Sequence, residues 1–112
     1  MKWRDEIELE LTRAREAERN GNQGRARTSA RRAAGIAIVE LAKQFPEKQY
    51  GKDFMTQLRS LASDLATPEH VQNAADRLQA RLSPQFESPS KHPIDDAEII
   101  VQFILERLSS RL

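Results

Sequence analysis

The chain has no cysteine among its 112 residues, which excludes a disulfide framework, a thiolate zinc site and a cysteine nucleophile. The same absence fits a reducing compartment. Aromatic residues make up 5% of the chain, so no row of rings is on offer to stack the bases of a single strand. The longest unbroken apolar or Gly run, Ala33 to Val39, has seven residues. A membrane span needs ~20. The opening residues MKWRDEIELE alternate charge and carry no apolar signal region. Histidine is scarce too: His70 and His92 are far apart, and neither belongs to an HxxxH or HExxH pattern. There is no GxxxxGK[ST], and the turn Asn20-Gly21-Asn22-Gln23-Gly24 does not match GxGxxG. These absences predict a small soluble cytoplasmic domain with no membrane association, no metal site and no cofactor.

What is present is enough to fold. Apolar residues are 38% and charged residues 31% of the chain, too apolar for disorder and long enough for one domain with a core, residues 1–112. Net charge is +1, but unevenly spread. Residues 1–45 hold ten Lys/Arg against seven Asp/Glu, and residues 46–112 hold eight against ten. The sequence pI of 8.1 lies below the ~9 typical of domains that bind nucleic acid through charge alone.

The apolar spacing is helical throughout, with no strand-like alternation. Trp3, Ile7, Leu11, Ala14 and Ala17 form one stripe, predicting a first helix over 2–20 that Asn20-Gly21 stops. Asn22 is placed to cap a second helix, which Pro46 ends after Phe45. Its main face is Ala26, Ala30, Ala34, Ala37, Ile38 and Leu41, while Ile36 and Val39 widen the apolar arc, so it is expected to be central. A third helix is predicted over 53–66, with Phe54, Leu58, Leu61 and Leu65 on its apolar face. Thr67-Pro68-Glu69 reads as a hydroxyl cap, a first-position Pro and a first-turn acid, opening a fourth helix with Val71, Ala74, Ala75, Leu78 and Leu82 inward. Residues 83–93 carry three Pro and three Ser and read as an extended loop. Asp95 with Glu98 three residues on reads as a capping box for the last helix, Ile94 and Ile99 forming the staple. Ile100, Val101, Ile104, Leu105 and Leu108 face the core and Ile99 and Phe103 lie around the other side, an arc wide enough for two neighbours, a second subunit among the candidates. The sum is an all-α, up-and-down bundle of about five helices.

Candidate chemistry is thin. Asp95, Asp96 and Glu98 are acids in a first helical turn, where the helix dipole favours them, and no second acidic cluster completes a metal site. Arg25, Arg27, Arg31 and Arg32 are the notable basic concentration and a candidate anion or nucleic-acid site through bidentate guanidinium contacts. The alternative is pairing with Glu6, Glu10, Glu16 and Glu18 of the first helix.

The run Ala14-Arg15-Glu16-Ala17-Glu18-Arg19-Asn20-Gly21-Asn22, the small-residue stretch Ala30-Arg31-Arg32-Ala33-Ala34-Gly35-Ile36-Ala37, and Ile94-Asp95-Asp96-Ala97 opening a terminal helix resemble the HEPN superfamily across nearly the whole chain. The resemblance implies a bundle of four or five helices, commonly homodimeric. Many members are RNases; others bind nucleotides or partner a minimal nucleotidyltransferase in toxin–antitoxin pairs. RNase members carry an Arg, four to six residues, then a His. Here Arg59 precedes His70 and Arg81 precedes His92, each with ten residues between. The leading expectation is therefore a non-catalytic, dimeric HEPN-like binding domain for a nucleotide, an RNA or a nucleotidyltransferase partner. The runner-up is a metal-independent RNase toxin of altered motif, joining Arg81 and His92. A third possibility is a scaffold with no small ligand.

Overall fold

The computed structural model describes residues 2–80 and 90–110. Its elements are α1 (Lys2–Arg19), α2 (Gln23–Gln44), a single 3-10 turn at Pro46–Lys48, α3 (Phe54–Ser63), α4 (Glu69–Gln79) and α5 (Pro93–Ser109). Among the described residues there is no strand, and the protein is an all-α helical bundle. No described helix is long and apolar enough to cross a membrane.

α1 and α2 form the hairpin that the Asn-Gly turn dictates. Gly21 takes the left-handed conformation, φ 75°, and the Asn22 side chain accepts a hydrogen bond from the Arg25 amide at 3.0 Å, capping α2. Ile7, Leu11, Ala14 and Ala17 are buried along α1, and Trp3 is half-buried with the Arg4 guanidinium over its ring. Opposite them α2 buries Ala26, Ala30, Ala33, Ala34, Ala37 and Ile38. Small side chains let the backbones of the hairpin approach closely, and α2 goes on to pack against α3 and α5 as well. The central position expected of α2 is what the structure has. At Gly35 the approach is closest: a Cβ there would lie 1.9 Å from Cδ1 of Phe54, so glycine admits the α3 ring against α2.

Four helix ends differ from the sequence expectation. α3 stops at Ser63, not at residue 66, because the Asp64 carboxylate is drawn away by Lys48 Nζ at 2.9 Å and Tyr50 Oη at 2.8 Å and its backbone is extended. Leu65 is therefore off the apolar face and 95% exposed. The Thr67 hydroxyl does not cap α4; Thr67 is buried, and the Pro68 carbonyl accepts from the amides of Val71 and Gln72. Asp95 does not cap α5 either. The helix begins three residues earlier than that cap implies, at Pro93, whose fixed φ suits a first position, and the His92 carbonyl accepts from the Asp96 amide. Glu98 turns to Arg15 of α1 at 3.7 Å rather than back to the cap. α4 stops at Gln79, with the Ala80 backbone extended, short of Leu82, which lies outside the described residues.

Candidate functional site

The acids at the start of α5 separate. Asp95 points to solvent, Glu98 joins the α1 side, and Asp96 turns inward to 5% exposure. There Asp96 accepts from Arg77 Nη2 at 2.7 Å, from Arg77 Nε at 3.3 Å and from Ser90 Oγ at 2.5 Å. The hydrogen bonds to Asp96 raise the Arg77 pKa against the opposing effect of its own partial burial. This is a structural clasp between α4 and α5. Among the described residues no group of three or more Asp, Glu or His gathers for a metal.

A second buried network joins the 3-10 turn to the end of α3. Tyr50 is 4% exposed, and burial first, then its hydrogen bond to Asp64, pushes its hydroxyl pKa up. Burial works to raise Asp64, but hydrogen bonds from Lys48, Tyr50 and the Ala66 amide outweigh it and hold the carboxyl below its usual range. The cavity beside Tyr50 and Asp64, about 10 Å³, is too small for any ligand.

The four candidate arginines part company. Arg31 is half-buried and reaches across to α4, where Nε donates to the Leu78 carbonyl at 2.7 Å and Nη2 to the Ala80 carbonyl at 3.3 Å. It thereby serves the otherwise unpaired carbonyls at the end of α4, while burial, then the nearby Arg27 charge, lowers its pKa. Arg32 leans on the buried Glu10 of α1 at 4.0 Å, and Arg13 binds the same carboxylate at 2.9 Å. Arg25 is exposed and lines a depression of about 310 Å³ with Arg13, Glu16, Asn20 and Asn22. Arg25 and Arg27 make no side-chain hydrogen bond or ion pair among the described residues, so they are what remains of the basic cluster for an outside anion.

His92 is exposed at the start of α5, in a shallow depression with Arg15, Glu18, Ile94, Asp95 and Glu98. Its proposed partner Arg81 lies outside the described residues. His70 is exposed on the first turn of α4, where it joins the lining of an open groove.

That groove, about 600 Å³, lies over the outer side of α5, between Glu8, Leu11 and Arg15 of α1 and Pro68 and His70 at the start of α4. Leu11, Val101, Ile99, Phe103 and Leu105 supply most of its apolar part, the last three only half-buried. Glu8 of α1 and Glu98, Gln102 and Glu106, which follow one another at four-residue steps along α5, supply its polar part, and Glu106 Oε1 accepts from Gln102 Nε2 at 2.9 Å. The signal in the sequence was the breadth of the last helix's apolar arc. The share that α1 contributes to the groove had no signal, because Glu8 and Arg15 read as ordinary surface charges.

Compared with known proteins, the chain matches no family model, no curated protein and no solved structure.

Proposed function

We propose that the chain is a non-catalytic, HEPN-like helical binding domain that works by receiving another protein chain on the outer side of α5. The observation that carries this reading is the groove itself. Ile99, Phe103 and Leu105 stay half-open to solvent on a helix whose inner side is already filled by Ile94, Ala97, Ile100, Val101 and Ile104. Apolar surface that exceeds what the core needs, set among charged and polar residues, is the usual composition of a protein-binding face. The resemblance to HEPN proteins supports the same reading and adds a minimal nucleotidyltransferase as one kind of partner.

A homodimer through this face is the second reading, and the width of the α5 apolar arc favours it. A nucleotide or RNA would fall instead to Arg25 and Arg27, at a first turn of α2 that holds no acid to repel it. The experiment that tests the non-catalytic reading is RNA cleavage by the wild type and by His92→Ala. Both are expected to be inert. Cleavage by the wild type that His92→Ala abolishes overturns it and establishes an RNase of altered motif.

A further inference from the structure

The hairpin has an outer side of its own, on which Arg25, Thr28, Arg32, Val39 and Lys43 of α2 are exposed. Across the hairpin Arg32 meets Glu10 of α1 at 4.0 Å. Seven residues make about two turns of either helix. Seven on from Arg32 and seven back from Glu10, the antiparallel pair therefore brings Val39 beside Trp3. Ile36 stands one turn before Val39 on the same side and is half-buried, while Val39 is 37% exposed. Gly35, four before Val39, takes the Phe54 ring of α3 against its backbone, and Phe54 is 36% exposed. Trp3, Ile36, Val39 and Phe54 thus make an apolar band across α1, α2 and α3. It covers two interaxial spacings, ~16–20 Å.

The charges along this side are sorted by depth. Arg13 and Arg32 share the Glu10 carboxylate, and Lys43 binds Glu40 at 2.9 Å. More than half of each cation's side chain is in water, whereas both acids lie beneath with less than a fifth exposed. Glu40 is the one acid of α2, against five Lys/Arg. Arg4 adds a cation above the Trp3 ring, 5.1 Å from its centre. Asp53 at the head of α3 is taken up by the Thr56 amide and hydroxyl, and Glu6, four before Glu10, is the exposed acid at the seam. What faces outward is an apolar band set mainly among cations.

We propose that this side of the hairpin docks an acidic amphipathic helix of a partner protein, laid across α1, α2 and α3. Its apolar stripe covers Trp3, Ile36, Val39 and Phe54, and its flanking Asp or Glu side chains meet Arg4, Arg32 and Lys43. Three to four turns of helix match the length of the band. The site is apart from the outer side of α5 and stands whether or not that face is occupied. A nucleic acid would meet a Trp3 ring already covered by Arg4 and a Phe54 ring laid on α2, with aliphatic side chains between. A lipid surface needs apolar side chains that stand clear of the fold, and none in the band is more than 37% exposed. A second copy would set the same cations against one another. An acidic helix answers both the band and its cations, and opposite charge speeds and selects its docking.

Trp3 is the chain's single tryptophan, so its emission reports on this side directly. The test is titration of the full chain with three tryptophan-free peptides of equal length. One has leucines at helical spacing among glutamates, one the same leucines among lysines, and one serines in place of leucines among glutamates. The leucine–glutamate peptide is expected to shift Trp3 emission to the blue and to saturate, the other two binding at least about tenfold more weakly. Val39→Gln with Lys43→Gln, both exposed, is expected to weaken that peptide at least about fivefold and leave the melting temperature unchanged. Ile99→Ser on α5 is expected to leave its binding as it was. Equal binding of either control peptide overturns the proposal, as does a leucine–glutamate peptide that leaves Trp3 emission unmoved. A single-stranded oligonucleotide or an anionic vesicle that binds more tightly than that peptide, read at Trp3, overturns it in favour of that ligand. Binding lost in Ile99→Ser places the peptide on α5, which overturns this site and keeps the other face.

Discussion

Arg77 of α4 grips the buried carboxylate of Asp96 on α5 with two guanidinium nitrogens, Nη2 at 2.7 Å and Nε at 3.3 Å. Ser90 donates to the same carboxylate, so the clasp ties together the end of α4, the start of α5 and the residue just ahead of it. Half of the Arg77 side chain is open to water, whereas Asp96 is nearly all enclosed. The two partners are therefore unequal.

Removing the arginine should cost more than removing both charges. Arg77→Met leaves a buried carboxylate with Ser90 alone and is expected to destabilise by about 1–3 kcal/mol. The double change Arg77→Met with Asp96→Leu leaves no orphaned charge and should lose less. Urea midpoints of the three proteins check this. A double variant weaker than Arg77→Met would mean that the pair itself, and not the orphaned acid, is what matters.

Gly35 and Phe54 should show strong coupling. Alanine suits a helix better than glycine by up to ~1 kcal/mol, yet a Cβ at position 35 meets the Phe54 ring at 1.9 Å. Gly35→Ala is expected to destabilise the wild type by about 1 kcal/mol or more, as overpacking does. In a Phe54→Ala background the same change should stabilise. The sign reversal is read from thermal or urea unfolding in a double-mutant cycle.

How far the sequence was legible can be seen in three charges. Glu10 stands three after Ile7 and four before Ala14, Arg31 three before Ala34 and seven before Ile38, and Asp96 four before Ile100 and eight before Ile104. Each sits on the apolar stripe of its helix, and each is buried or half-buried with a partner from another element. Helical periodicity placed the helices and most of their inner faces, and it contained the hint that these charges turn inward. It held nothing about their partners, which are far away in sequence. The end of α3 was illegible for the same reason: Asp64 is pulled out of the helix by Lys48 and Tyr50 across a loop. The groove on α5 was half legible, through Ile99 and Phe103, and the share of it that Glu8, Leu11 and Arg15 supply appears only when α1 is laid beside α5.

Stability should fall at both ends of the pH scale through Tyr50 and Asp64. The Tyr50 pKa is raised in the fold, so its contribution is whole below ~10 and declines as pH climbs beyond that value. The Asp64 pKa is lowered in the fold, so its contribution is whole above ~4 and declines as pH falls below it. Tyr50→Phe is expected to flatten the alkaline decline and Asp64→Asn the acid one, in urea midpoints followed against pH. An unchanged slope in either variant removes that residue from the account.

The basic cluster should divide by function. Arg31→Met strips donors from the carbonyls of Leu78 and Ala80 and is expected to cost about 1 kcal/mol or more of stability. Arg25→Ala with Arg27→Ala should leave the urea midpoint unchanged. If an anion binds at the head of α2, that second variant abolishes the gain in melting temperature that a nucleoside triphosphate gives the wild type. A gain that survives in it places the anion elsewhere.

Amide chemical-shift mapping of the labelled chain with a synthetic leucine-rich amphipathic helical peptide tests whether the outer side of α5 receives another protein chain. The account predicts shifts gathered on Glu8, Leu11 and Arg15 of α1 and on Ile99, Gln102 and Leu105 of α5. Shifts centred on residues 25–32, or none at saturating peptide, would contradict it.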